Sequence, residues 1–401
     1  MAEAIGSGLA RLRLKKREQR RLQAGHLWVF SNEVDTAVTP IKGIAPGTPA
    51  IIESTSGKFL AHAYVNPASL ICARITSRNK SQPFSATVLR ERLTQALALR
   101  EQVFNEPYYR LVHSEGDFLP GLIADRYGDV IVAQITTAGM EQYKDELVDA
   151  LVGITGASAL CFQNDTPVRD LEGLPSYVEW AHGTTPTQLS IRENHLDFVV
   201  PTQLSQKTGW FYDHRSSRFA LRAWVPGKRV LDLYSYIGGF GLNAAVAGAA
   251  QVLSVDASES ATVAANKNAH RNNLQAHFHS LTADAVEKMR ELFVAGEQFD
   301  VVVLDPPAFI KRKKDRDAGL RHYDLNNRLA LKLLKPGGIV LSASCSQSFS
   351  LHDLQQSMRA GVPKGSQGLQ VLESFQQAPD HPVNIAMSES LYLKGVIARL
   401  L

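Results

Sequence analysis

Val301 to Phe309 reads VVVLDPPAF, and Ile339 to Gln347 reads IVLSASCSQ. Each is an apolar run that ends in residues able to do chemistry, Asp305-Pro306-Pro307 in the first and Cys345 in the second. Runs rich in Val, Ile and Leu suit central strands of a parallel sheet buried on both faces, and ligands of such sheets sit beyond the strands' carboxyl ends. The turn Leu334-Lys335-Pro336-Gly337-Gly338 leads into the second run and predicts that it lies beside the first. A carboxylate and a thiol would then face one crevice.

Upstream, from Ile191, strands and helices alternate, the signature of a doubly wound sheet. Gln206-Lys207-Thr208-Gly209-Trp210 and Asp213-His214-Arg215 form a polar approach to a helix over Ser216 to Trp224. Arg229 to Tyr234 is the first strand, and Ile237-Gly238-Gly239-Phe240-Gly241 follows as a glycine loop opening a helix at Leu242. Gly238, Gly239 and Gly241 would let backbone approach a ligand closely, although glycine also makes ordinary strand-to-helix turns. The second strand, Gln251 to Val255, ends at Asp256. An acid there can accept from both ribose hydroxyls of a nucleoside cofactor, or cap the helix from Ser258. Asp284, after a third strand near Phe278 to Leu281, has the parallel pair of readings: contact with an adenine amino group, or a helix cap. Asp232, the glycines, Asp256, Asp284 and Asp305 arrive in the order and rhythm of an S-adenosylmethionine-dependent methyltransferase.

The N-terminal end differs in character. Arg11 to Arg21, RLRLKKREQRR, carries seven basic residues (Arg11, Arg13, Lys15, Lys16, Arg17, Arg20, Arg21) and one acid. Over Met1 to Arg78 there are eleven Lys or Arg against five Asp or Glu, a local net charge of +6 in a chain whose formal total is +4. Short β-like runs, Thr48 to Glu53 and Lys58 to Val65, predict a small β-barrel, either an RNA-binding module or a structural domain behind a solvated basic tail. Between the two ends, helices over Phe84 to Phe104 and Glu141 to Val152 and strands at Tyr109 to His113 and Val130 to Ile135 read as α+β. Glu115, Asp117 and Asp125 there read as acids of surface turns. The division is therefore 1–78, 79–190 and 191–401.

With 401 residues, 44% of them apolar and 20% charged, the chain has the composition of an ordinary globular protein. Its three cysteines, Cys72, Cys161 and Cys345, lack metal-ligand spacing and are too few for a disulfide framework, which points to a reducing cytoplasm and no metal. No signal peptide or membrane span is expected.

An Asp-Pro-Pro turn leaves its carboxylate little freedom, so Asp305 can bond the exocyclic amine and ring nitrogen of a nucleobase. Cytosine carbon 5 is a poor nucleophile until a thiolate adds at carbon 6, and Cys345 is placed to be that thiolate, though a lone cysteine is more often a small buried hydrophobe. Lys311, Arg312, Lys313 and Lys314 follow the Asp-Pro-Pro loop and suit phosphate anchoring or a solvated face. Phe309 or Tyr323 could stack on an extruded base, or pack in the core.

The chain resembles the RNA large subunit methyltransferase I family, enzymes that make 5-methylcytosine in large-subunit (23S) ribosomal RNA. GHLWVFSNEV resembles its N-terminal PUA domain, RLVHSEGDFLPGLIADRYGD its central α+β domain, and QKTGWFYDHR, LDLYSYIGGFGL, SVDAS, LDPPAF and SASCSQ its catalytic motifs. The resemblance implies an α/β protein with a C-terminal Rossmann-like class I methyltransferase domain. It implies S-adenosylmethionine contacts from Gln206, the Gly238 to Gly241 loop, Asp256 and Asp284, substrate orientation by Asp305, and attack by Cys345. It also strengthens the RNA-binding reading of the basic segment. Many other RNA cytosine-5 methyltransferases carry a second cysteine where this chain has Asp305-Pro306-Pro307, so a one-cysteine mechanism is implied. The rivals are an RNA amino-group methyltransferase, in which Cys345 is incidental, and a non-catalytic RNA-binding assembly protein. A homodimer is compatible with either.

Overall fold

The computed structural model describes residues 9–201, 209–310 and 312–401. Two compact units divide the chain: Met1–Pro186 with the segment Asp380–Ser390, and a second built from Thr187–Ser205, Gly209–Pro379 and Leu391–Leu401.

The first unit holds two five-stranded sheets. In the N-terminal one, Ala10–Arg13 runs parallel to Thr48–Glu53 at one edge, and Trp28–Val29 pairs antiparallel with Ala73–Ser77 at the other. Leu12, Val29, Ile52, Val65 and Ile75 form its core, closed by Met387 from the distant segment. The other sheet comprises Tyr108–His113, Leu122–Tyr127, Val130–Ile135, Ala159–Asn164 and Tyr177–His182, packed against the helices Ala86–Val103 and Lys144–Thr155. Ser85 caps the first of these helices through Val88 N. The helix predicted over Glu141 to Val152 begins instead at Lys144, after a separate turn at Ala138–Glu141.

The acids read as surface-turn residues are tied into the interior. Asp125 is fully buried against Arg110 at 2.8 Å, and Asp117 takes both terminal nitrogens of buried Arg100. Glu115 accepts from the Trp28 indole at 2.7 Å. Each carboxylate is stabilised there by a hydrogen-bonded partner, which a scan of turn composition does not register.

The second unit begins with a hairpin, Gln188–Glu193 and Leu196–Pro201. A seven-stranded sheet follows, with strands β1 (Arg229–Leu233), β2 (Gln251–Asp256), β3 (Phe278–Thr282), β4 (Phe299–Leu304), β5 (Leu334–Ser344), β6 (Leu369–Gln376) and β7 (Lys394–Leu400). Their spatial order is β3-β2-β1-β4-β5-β7-β6, parallel except for β7, which is antiparallel to both neighbours. Helices α1 (Arg215–Leu221), α2 (Gly239–Val246), α3 (Glu259–Arg271), α4 (Ala285–Val294), α5 (Arg316–Lys332) and α6 (Leu351–Gly361) accompany it. Val301 to Leu304 and Val340 to Ala343 are buried throughout, as unalternating apolar runs require of central strands. The order of strands turns back on either side of β1 and β4, the switch point beyond which a parallel sheet leaves a crevice.

Candidate active site

Leu233, Leu304 and Ser342 form one row across β1, β4 and β5. Asp305 directly follows Leu304, and Cys345 lies three residues after Ser342, so both emerge past the same row on adjacent strands. Both are half-buried. The expected adjacency of the two strands that lead to Asp305 and Cys345 is present.

Behind Asp305 stands a residue whose role was not foreseen. His214 Nε2 lies 3.2 Å from Asp305 Oδ1, and its ring is almost wholly buried. Burial alone would lower the imidazole pKa, but the Asp305 carboxylate outweighs it, with Asp213 assisting, and the pKa stands above the ordinary histidine value. The ring is oriented by Ser217 Oγ at 3.0 Å from Nδ1. Helix α1, which follows His214, is anchored by Arg218, whose guanidinium donates to buried Glu193 at 2.7 Å and 3.1 Å while lying over the Trp210 ring. The clue available in the sequence was a His beside an acid in Asp213-His214-Arg215, but the pairing with Asp305 spans ninety-one residues of chain.

The loop carrying Cys345 is pinned from below. Ser344 Oγ donates to Tyr323 Oη at 2.7 Å, and Tyr323 Oη and Ser346 Oγ are 2.8 Å apart. Ser346 Oγ also accepts from Ile310 N at 3.1 Å, which ties the loop to the one after β4. Tyr323 is therefore a core residue, stacked on Phe349 with ring centroids 4.1 Å apart, and is not exposed for base stacking. Phe309 is half-buried and stacked on His322. On the far side of the loop, Lys394 Nζ donates to Ser346 O at 2.6 Å. The other two thiols are shut away: burial pushes Cys72 up to about 12 and Cys161 up to about 11.

Around the β1 end, Asp232 is fully buried and accepts at Oδ2 from Gly241 N (2.9 Å) and Ser254 Oγ (3.1 Å). Burial first, then Asp305 and Asp256, push its carboxyl up to about 7 against those two hydrogen bonds. Tyr234 and Tyr236, just past β1, both have left-handed backbone, at φ 61° and 50°. Such conformations are strained for bulky residues and concentrate at functional loops. Gly238 supplies the third positive φ, at 86°. Gly241 is needed for a different reason: a Cβ there would meet Ser254 Oγ at 2.4 Å and Asp232 Oδ2 at 2.9 Å. Asp256 receives Tyr236 N and Ser258 N, at 2.8 Å and 2.9 Å, while Ser258 caps α3. Asp284 caps α4, with Oδ1 taking Val286 N and Glu287 N, and is exposed.

Residues 12–78 match the PUA-like domain family, and residues 110–388 match the S-adenosylmethionine-dependent methyltransferase family. A ribosomal RNA large subunit methyltransferase I from Cronobacter sakazakii is 37% identical, covering 96% of this chain and 98% of that protein. One from Salmonella arizonae is 35% identical over the full length of both. The chain belongs to the ribosomal RNA large subunit methyltransferase I family. A solved candidate methyltransferase complexed with SAH shares the fold, with a TM-score of 0.84 at 21% identity, covering 98% of this chain and 100% of that one.

As a member of this family the chain uses S-adenosylmethionine, and the β1–α2 loop fits such a ligand. Asp232 Oδ1 and Ser235 Oγ are buried polar atoms with no hydrogen-bond partner among the described residues, the kind of orphaned group that a bound ligand satisfies. Gln206 and Lys311 lie outside the described residues, as does the Lys313 side chain. Of the basic residues, Arg11 and Arg13 are paired with Glu53 at 2.7 Å and 3.1 Å, Arg21 with Glu33 at 2.7 Å, and Arg312 with Asp315 at 3.2 Å. Lys15 donates to Asn32 O. Lys16, Arg17, Arg20 and Lys314 are exposed and form no ion pair among the described residues.

Proposed function

We propose that this chain transfers a methyl group from S-adenosylmethionine to carbon 5 of a cytosine in large-subunit ribosomal RNA, through a covalent adduct at Cys345, in the cytoplasm. What supports the reading most is the pairing of Asp305 and Cys345 beyond one row of adjacent strands, with Cys345 the half-buried thiol among three. The names of its relatives supply the RNA. In this reading residues 1–78 form a PUA-like RNA-binding domain, 79–190 a central α+β domain and 191–401 the catalytic domain.

Asp305 accepts from the cytosine amino group, and His214 keeps that carboxylate in place. The Cys345 thiolate forms the sulfur–carbon 6 bond, and the electron pair of the carbon 5–carbon 6 double bond becomes available at carbon 5. When bound, S-adenosylmethionine supplies the electrophilic methyl group. Carbon 5 takes that methyl group as the methyl–sulfur bond breaks and S-adenosylhomocysteine leaves; a base then takes the carbon-5 proton, whose bonding pair restores the carbon 5–carbon 6 double bond as the sulfur–carbon 6 bond breaks and its electron pair returns to Cys345. Gln206, the Gly238, Gly239 and Gly241 loop, Asp256 and Asp284 hold the cofactor, with Asp232 shaping the loop from beneath. Lys16, Arg17, Arg20 and Lys314 contribute phosphate contacts.

The deciding experiment is methyl transfer from labelled S-adenosylmethionine to unmodified large-subunit RNA, with wild type beside Cys345→Ala, followed by nucleoside analysis. The reading requires 5-methylcytosine from wild type and none from a variant that still binds cofactor. An active variant yielding an N-methylated purine would replace it with amino-group transfer centred on Asp305.

A further inference from the structure

We propose that Lys394 is the positioning residue that keeps Cys345 as a thiolate before attack and receives it as a thiolate on release. The proposal rests on Cys345 being the nucleophile. Lys394 opens β7 and is paired across the sheet with Ser344, while its ammonium donates to the carbonyl of Ser346 at 2.6 Å. The lysine therefore engages the chain on both sides of Cys345, one residue before it and one after. Lys394 is 8% exposed, at the start of the strand KGVIARL, whose other cation, Arg399, is exposed.

A buried ammonium is unfavourable unless an anion faces it. Burial lowers the Lys394 amine to about 8, and Cys345 opposes that lowering more strongly than Asp353 does. Asp353, on α6, is already bonded by Arg316 at 2.9 Å and by Ser350. Tyr323, reaching in from α5, has its phenol pushed up by burial and stays neutral. The thiol is accordingly the group that a lysine charge at this position serves. Pinning the loop alone would need a donor but no charge.

The balance of the step is simple. The thiol proton leaves to solvent, the electron pair stays on sulfur, and Lys394 keeps its own protons throughout. When the sulfur–carbon bond later breaks, the pair returns to sulfur beside the same cation, which favours departure as well as attack.

The test is the pH profile of Cys345 alkylation by iodoacetamide in the full-length chain, read by peptide mass spectrometry for wild type, Lys394→Met and Lys394→Arg. Buried Cys72 and Cys161 serve as internal controls, and cofactor calorimetry reports whether each variant is folded. Wild type should show a half-point below the free-thiol value of about 8.5. Lys394→Met should raise it by about one unit, cutting the rate at pH 7 about tenfold, and Lys394→Arg should restore it. Identical wild-type and Met profiles overturn the proposal. So does a wild-type half-point at or above the free-thiol value, a result that needs no variant to fold. Alkylation requires no RNA, so a failure of the cytosine chemistry, seen as methyl transfer by Cys345→Ala, is distinguishable from a failure of Lys394 to ionise the thiol.

Discussion

Replacing Asp232 by Asn should make the second unit's stability less dependent on pH, in a direction and size the structure sets. In the unfolded chain this carboxyl ionises above about pH 4. In the native state burial holds it protonated up to about 7. The folded form therefore binds the extra proton, so the group's contribution is fully present below the unfolded value and is lost as pH rises through the folded one. From these values the native state is destabilised by about 1–2 kcal/mol at pH 5 and about 4 kcal/mol at pH 8, a change of about 2–3 kcal/mol across the window. Asparagine keeps the shape and an oxygen for Gly241 N and Ser254 Oγ but cannot ionise. Any cost of placing its amide at the orphaned position is the same at both pH values and cancels. Urea unfolding of wild type and Asp232→Asn without cofactor, followed by circular dichroism at pH 5 and pH 8, measures the difference directly. The variant should gain about 2–3 kcal/mol on wild type between the two. A difference that stays constant to within about 0.5 kcal/mol would show that Asp232 titrates as an ordinary carboxylate and refute the reasoning.

Asp305→Asn should lower the His214 pKa, visible in a histidine NMR titration, because the carboxylate is what raises it above the ordinary value against burial. The stability from that pair is fully present below the unfolded histidine pKa of about 6.5 and lost as pH rises through the higher folded value, so wild type should lose more stability than the variant across that interval. Gly241→Ala forces a Cβ against Ser254 and Asp232; a destabilisation of about 1–3 kcal/mol and loss of calorimetric cofactor binding are expected. Replacing Lys16, Arg17 and Arg20 together by Ala should weaken RNA binding and reduce the salt slope by about two, whereas Arg11 and Arg13 replacements should chiefly destabilise the N-terminal sheet by leaving buried Glu53 unpaired.

Much of the site was legible because its signals are local. A strand that stops at Asp305, another that stops at Ser344 before Cys345, and acids at the ends of β1 and β2 each declare themselves within a few residues, since burial on both faces demands unbroken apolar runs. The same locality explains the errors. Asp117 and Asp125 look like turn acids until Arg100 and Arg110 are folded against them, and Tyr323 looks available for stacking until its hydroxyl is placed between Ser344 and Ser346.

By itself the sequence determined the sheet's central strands, the glycine loop, the adjacency of the strands that lead to Asp305 and Cys345, and the family. Only the tertiary structure decided which groups surround that pair. His214 reaches Asp305 across ninety-one residues and Lys394 reaches the Cys345 loop across forty-eight, and neither advertises its role in a window of sequence. It likewise decided that Arg11, Arg13 and Arg21 are paired with Glu53 and Glu33 while Lys16, Arg17 and Arg20 face outward. The physical reason is that burial and charge pairing are properties of neighbours in space: a cation's chemistry depends on the acid that desolvation brings to it.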